Sequence, residues 1–278
     1  MGTGIAYCFA VAGWDTTVVE PDEAGAGRFR RALEGAAAEG ARRHRLSAEE
    51  AAALPGKVKR VVDPLELPSG LDLVVESVPE RMDLKRRVLV AAEAVKPSLL
   101  ASNTSSLSID ELARPLQRPG VFIGLHFFNP VWSLALVEVV RGALTEEAAV
   151  RGALGAVESI GKQASVVSDS PGFATSRLDL VAAIEAIRMV EEGVASPSDI
   201  DRAMKLAYRH PVGPLRLSDI VGLDVRLDIA RRLSSALGPR FEPPQLLVRM
   251  VDDGFLGQKS GRGFYDWPEA IDGHHPGT

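Results

Sequence analysis

Gly2-Thr3-Gly4-Ile5-Ala6-Tyr7-Cys8-Phe9-Ala10-Val11-Ala12-Gly13-Trp14-Asp15-Thr16-Thr17-Val18-Val19-Glu20 is the stretch from which the fold of this chain is read. Glycines open a small, apolar segment of helical character over Gly4 to Ala12, Gly13 ends it, and the β-branched run Thr16 to Glu20 reads as a strand with a carboxylate at its tip. A dinucleotide-binding unit follows that order: a glycine turn, a helix whose first amides face a pyrophosphate, then a strand ending in an acid that accepts the ribose hydroxyls. Gly2, Gly4 and Glu20 are the candidate cofactor contacts. Glu20 would repel a 2′-phosphate, so NAD is expected rather than NADP. Such a unit also needs a strand ahead of the glycines. The expectation is that this first strand and the first glycines are missing from the sequence as given, leaving neighbouring strands with unpaired backbone groups. Taken alone, an ordinary helix packed on a strand would read the same way.

Outward from this segment, short β-branched runs alternate with longer stretches of helical period, as in the strand–helix units of a mainly parallel, doubly wound sheet. Strands are expected at Val58 to Val62, Leu71 to Glu76, Leu99 to Ser102, Val121 to Leu125, Leu136 to Val140 and Ser165 to Val167. Helices are expected at Asp22 to Glu39, Glu80 to Val95 and Thr145 to Ile160. After Asp169-Ser170-Pro171-Gly172 the strand-like runs stop, and apolar residues recur at helical spacing through Leu178 to Glu192, Asp199 to Tyr208, Asp219 to Leu237 and Pro244 to Asp252. Ser196-Pro197 supplies an N-cap and a first-turn proline. The boundaries expected are therefore 1–169 for an α/β domain and 170–278 for an all-α domain. The tail Ile271 to Thr278 reads as disordered, and its His274-His275 pair as a solvated end, not a metal site.

Composition allows this division, since 278 residues with 46% hydrophobic and 25% charged can bury two cores. A net charge of -5 offers no positive field for a phosphate backbone, which argues against nucleic acid and leaves a small-molecule substrate. Cys8 is the single cysteine and no apolar h-region follows a charged start, so a reducing, cytoplasmic setting is expected. No apolar run approaches the roughly 20 residues that span a bilayer, so no membrane partner is expected.

Three segments carry chemistry. Ala101-Ser102-Asn103-Thr104-Ser105-Ser106-Leu107 follows a strand, and could simply turn the chain and cap a helix near Ile109. Gly124-Leu125-His126-Phe127-Phe128-Asn129-Pro130 places a histidine at a strand end, and Glu138 interrupts the apolar strand Leu136 to Val140. An imidazole titrates near neutrality and can take a hydroxyl proton, while a carboxylate fixes its tautomer and stabilises its cation. A lone histidine beside two phenylalanines is also an ordinary core residue, yet a carboxylate in an apolar strand needs a partner. The third segment is Asp169 to Leu178, leading into the helical half.

Together these segments, with Met1 to Ala6 and Gly257-Gln258-Lys259-Ser260-Gly261-Arg262-Gly263-Phe264-Tyr265, resemble the 3-hydroxyacyl-CoA dehydrogenase family over essentially the whole chain. The resemblance implies a Rossmann-like doubly wound domain, N-terminally truncated here, followed by an α-helical dimerisation domain. It implies NAD-dependent, reversible oxidation of a (3S)-3-hydroxyacyl-CoA by a homodimer. It gives His126 the role of base, Glu138 that of its partner, and Ser105 that of positioning the substrate oxygen. Asn103, Asn129, Glu80, Lys85 and Lys259 correspond to cofactor contacts. Ser176 stands where many relatives have an asparagine that holds the substrate; its hydroxyl is shorter and lacks the amide. Met1 matches a methionine internal to the family's turn, so a misplaced start and a real truncation read alike. Arg28, Arg30 and Arg31 form a basic helical face that could meet CoA phosphates or simply be solvated. Two other readings stay open: a related dehydrogenase of a hydroxy acid or carnitine without CoA, and a non-catalytic dimeric scaffold with a broken nucleotide site.

Overall fold

The computed structural model describes residues 1–268, so the expectations for Ile271 to Thr278 and for His274-His275 lie outside the described residues. The chain divides into two compact units, one from Met1 to Ser170 and a second beginning at Pro171.

The first unit runs α1 (Gly2–Val11), β1 (Thr16–Val19), α2 (Glu23–Arg42), α3 (Ala48–Lys57), β2 (Val58–Val61), β3 (Leu73–Glu76), α4 (Met82–Glu93), β4 (Leu99–Ser102), α5 (Ile109–Ala113), β5 (Phe122–Phe127), β6 (Leu136–Arg141), α6 (Glu147–Ser159) and β7 (Gln163–Ser168). This is the expected alternating α/β pattern. The strands form two ladders, β1–β2 and β3–β4–β5–β6–β7. All pairs are parallel except β5 with β6. Each of β1 and β3, between which the expected first strand belongs, has a ladder partner on one side only among the described residues.

Burial explains the elements. β4 and β5 are buried at every position, so they read as continuous apolar runs instead of alternating ones. The α6 residues Ala149, Val150, Ala153, Ala156 and Val157 form one buried stripe at helical spacing, in the same core as Ile123, Leu125 and Val139 of β5 and β6. α1 is buried from Gly4 to Ala10, as a helix apolar on all sides must be. α2 starts at its cap, where Asp22 Oδ1 accepts from Gly25 N at 2.6 Å. α3 has no counterpart among the expected helices. Its start is a capping box, in which Ser47 and Glu50 each accept from the other's backbone amide.

The second unit contains α7 (Thr175–Glu191), α8 (Pro197–Ala207), α9 (Pro214–Val221), α10 (Leu223–Leu237) and α11 (Gln245–Asp252). The single helix expected over Asp219 to Leu237 is in fact two, because Gly222 at φ 104° breaks it and the first of them begins earlier. Two buried carboxylates organise this unit. Asp201 accepts from Leu215 N and Arg216 N, both at 2.9 Å, capping α9 from a neighbouring helix. Asp219 accepts from Phe264 N, Tyr265 N and Trp267 Nε1, each at 2.9 Å, and so pins the segment that follows α11. Gly257, at φ 88°, has no room for a Cβ, which would fall 2.3 Å from the Asp219 carbonyl oxygen. No helix among the described residues is long and apolar enough to cross a membrane.

Candidate active site

The antiparallel register of β5 and β6 sets His126 opposite Glu138, and directly paired residues project from the same face of a sheet. His126 Nδ1 lies 2.8 Å from Glu138 Oε2. Glu138 is 0% exposed and His126 6%. An ionised carboxylate can only accept, so Nδ1 donates and the lone pair falls on Nε2. The imidazole also stands against the Phe128 ring, centroids 4.3 Å apart. The carboxylate thus fixes the orientation of the ring and leaves Nε2 on the side away from it.

The loop after β4 is built from a shared set of acceptors. Asn103 Oδ1 accepts from Phe127 N at 2.9 Å, tying the end of β4 to the residue after His126. Its amide nitrogen lies 3.5 Å from Ser77 Oγ. Glu80 Oε1 then gathers Thr104 Oγ1 at 2.6 Å and Ser105 N, Ser106 N and Ser106 Oγ at 3.0 Å, with Ser105 Oγ at 3.4 Å. Burial alone would raise the Glu80 pKa, but the Thr104 hydroxyl, the Lys85 ammonium and the Ser105–Ser106 donors together hold it below the usual carboxylate range. Ser105 itself is exposed at the tip of this turn.

Beneath the loop lies an ionic cluster. Lys85 is 1% exposed; its Nζ meets Glu76 Oε1 at 2.9 Å, Glu76 Oε2 at 3.2 Å, Val78 O at 3.1 Å and Glu80 Oε2 at 3.3 Å. Ser102 Oγ donates to Glu76 Oε2 at 2.6 Å. Glu80 and Lys85, read from sequence as cofactor contacts, therefore belong to one network that shapes the Ser105 turn. Sequence reasoning missed Glu76, Ser102, Thr104 and Ser106. Glu76 had a signal, since a carboxylate ending the apolar run Leu-Val-Val demands a partner as Glu138 does.

At the other cofactor positions, Met1 is the N-cap of α1 and makes no side-chain hydrogen bond to the first-turn amides. Gly2 stands 3.8 Å from Ser77, measured from where its Cβ would be, and a Cβ on Gly4 would come within 2.7 Å of Val131 Cβ, so only glycine fits there. The Glu20 carboxylate, just past β1, lies against Gly25 in the first turn of α2, where any Cβ would overlap it. These features suit a dinucleotide: a helix start without a side-chain cap for a pyrophosphate and a carboxylate for ribose hydroxyls. Asn129 is exposed, before a cis Asn129–Pro130 bond. In the second unit, Ser176 is half-buried at the start of α7, and Lys259 Nζ pairs with Asp224 Oδ2 at 2.6 Å. Arg28, Arg30 and Arg31 are exposed on α2. No group of three or more metal-ligating side chains occurs among the described residues.

A family model described as the NAD-binding domain of 3-hydroxyacyl-CoA dehydrogenase matches residues 1–170, and one for the C-terminal domain of the same enzyme matches residues 172–267. The chain is 41% identical over 276 residues to a probable 3-hydroxybutyryl-CoA dehydrogenase of Bacillus subtilis, covering 97% of this chain and 94% of that protein. It is also 41% identical to a 3-hydroxybutyryl-CoA dehydrogenase of Mycobacterium tuberculosis, with 96% and 95% covered. Among solved structures, (S)-3-hydroxybutyryl-CoA dehydrogenase from Ralstonia eutropha superposes with a TM-score of 0.91 at 34% identity, covering 97% of this chain and 96% of that one.

Proposed function

This chain belongs to the 3-hydroxyacyl-CoA dehydrogenase family, and we propose that His126 is the general base with which it oxidises a (3S)-3-hydroxyacyl-CoA to the 3-ketoacyl-CoA, reversibly and with NAD. The observation that carries the assignment is the buried 2.8 Å contact between His126 and Glu138. His126 Nε2 takes the hydroxyl proton as the hydride departs from C3. Glu138 offsets the charge that the ring acquires, in a setting too dry for water to do so. Bound NAD supplies the hydride acceptor. Ser105 Oγ holds the reacting oxygen, at the end of a turn that Glu80 and Lys85 keep in shape. Asn103 and Asn129 serve the nicotinamide side, Gly2, Gly4 and Glu20 the pyrophosphate and ribose, and Lys259 reaches the cofactor. Ser176 contacts the acyl-CoA in place of asparagine.

The proposal includes a cytoplasmic homodimer. Support for the dimer comes from large apolar side chains exposed on the helical unit, Leu206 at 75%, Tyr208 at 73% and Leu178 at 67%, a pattern that marks association surfaces. Support for the compartment is the single, buried thiol of Cys8.

The test is NADH consumption with acetoacetyl-CoA, compared between the protein and His126→Asn. Turnover by the first, with loss of activity in the second at unchanged NAD affinity, is the expected result. Folded protein that binds no NAD would sink the reading.

A further inference from the structure

Between the strands that carry His126 and Glu138 runs the loop Phe128 to Ala135, and three of its carbonyls are held by cations from outside it. Lys162, in the turn between α6 and β7, donates from Nζ to Val131 O and to Leu134 O, both at 2.6 Å. Arg45, in the turn between α2 and α3, donates from Nη1 to Trp132 O at 2.5 Å. An irregular loop has no ladder to satisfy its carbonyls, and charged side-chain donors satisfy them strongly. Lys162 is itself fixed relative to the catalytic pair. The next residue, Gln163, donates from its amide to Ala135 O at 2.8 Å and opens β7, which runs beside β6 with Ser165 opposite Glu138.

The same loop lies tightly against α1. Val131 is 2% exposed and denies Gly4 a Cβ. Tyr7 meets the Trp132 ring edge-on, centroids 6.4 Å apart, and Cys8 Sγ lies 3.9 Å from Val131 O. The loop therefore works as a spacer, with the helix that opens on Gly2 and Gly4 at its side and Asn129 near its start, just past the strand of His126.

We infer that Lys162 and Arg45 are positioning residues: by holding this loop against α1 they set where the nicotinamide stands relative to His126. The inference rests on the reading of Gly2 and Gly4 as pyrophosphate contacts and of Asn129 as a nicotinamide contact. α1 then holds the middle of the cofactor and Asn129 its reacting end, and the loop fixes the separation between them. Both cations act through the loop backbone and not by contact with the cofactor. Hydride transfer is sensitive to that separation, since a misplacement of about 1 Å can cost on the order of 10²-fold in rate.

The experiment measures single-turnover oxidation of NADH by saturating acetoacetyl-CoA, with protein in excess over NADH, in wild type, Lys162→Met and Arg45→Met. The dissociation constant of ADP-ribose, which has the pyrophosphate and no nicotinamide, is measured beside it. In Lys162→Met the rate constant is expected to fall about 10- to 100-fold at unchanged amplitude, with ADP-ribose bound as in wild type. A merely structural role lowers the amplitude and leaves the rate constant intact, or weakens ADP-ribose in parallel with the rate; either result overturns the inference. Arg45 is exposed, so its replacement decides the matter should Lys162→Met not fold. Its rate constant is expected to fall by a smaller factor, and an unchanged one overturns the inference. Wild-type turnover with both variants as fast overturns this inference and leaves the family reaction standing, while a wild type that turns over no acetoacetyl-CoA overturns both.

Discussion

His126 and Glu138 occupy one rung of the β5–β6 ladder, Nδ1 and Oε2 2.8 Å apart. Their distance is therefore set by backbone pairing and not by a loop, so the acceptor can be changed without moving the ring. Glu138→Gln presents an amide that can donate to Nδ1, which shifts the ring proton to Nε2 and removes the base. The expected loss in kcat is about 10²- to 10⁴-fold with little change in KM for acetoacetyl-CoA. Steady-state kinetics with a melting curve to confirm the fold decide it; a loss confined to KM would contradict the assignment.

Glu80 makes the stability of the first unit depend on acid. Its folded-state pKa is depressed, so the unfolded state binds its proton more readily. The stabilisation is present above the ordinary carboxylate pKa and is lost as pH falls through the lower, folded value. The melting temperature of wild type should exceed that of Glu80→Gln at neutral pH, and the gap should close on acidification below the usual carboxylate range. Thermal melts of the two proteins across that range measure the effect, and a gap that widens in acid would contradict it.

The cluster under the Ser105 turn should behave as a unit. Lys85→Met leaves the Glu76 carboxylate buried without its cation, at a cost of about 3–5 kcal/mol. Adding Glu76→Gln to that variant should restore part of the loss, because the stranded charge is gone. A double-mutant cycle in urea reads the coupling, expected at roughly 0.5–3 kcal/mol; additive effects would mean that the two groups do not sense each other.

Gly257 supports the second unit by its lack of a side chain. At φ 88°, with the Asp219 backbone where a Cβ would lie, alanine there is both strained and overlapping. Gly257→Ala should destabilise by roughly 1–3 kcal/mol, seen as a lower urea midpoint at constant slope. An unchanged midpoint would show that the segment after α11 can move aside.

What the sequence disclosed follows from what each residue must do alone. Leu99 to Ser102 is legible to the residue because a fully buried parallel strand is an unbroken apolar run with sharp ends. His126 and Glu138 are legible as a pair because both are polar groups inside apolar strands. Lys85 is not, since a lysine on a helix reads as solvated until β3 and the Ser105 turn close over it. α3 escaped because its alanines give no periodic contrast, although Ser47 and Glu50 announce its start. The break between α9 and α10 turns on one glycine whose φ the sequence does not state.

The division of the strands into two ladders bears on how the first unit opens. β1 and β2 have no ladder to β3 among the described residues, and α1, α2 and α3 share one hydrophobic core with β4, β5, β6 and α6. Packing of that kind can loosen without rupturing the five-stranded ladder. The amides of Thr17 to Val19 should therefore exchange with solvent deuterium through a partial opening of lower free energy than the one that exposes Ile123 or Val139. The first unit would then comprise two cooperative parts, with His126 and Glu138 in the more protected one and Glu20 at the edge of the other.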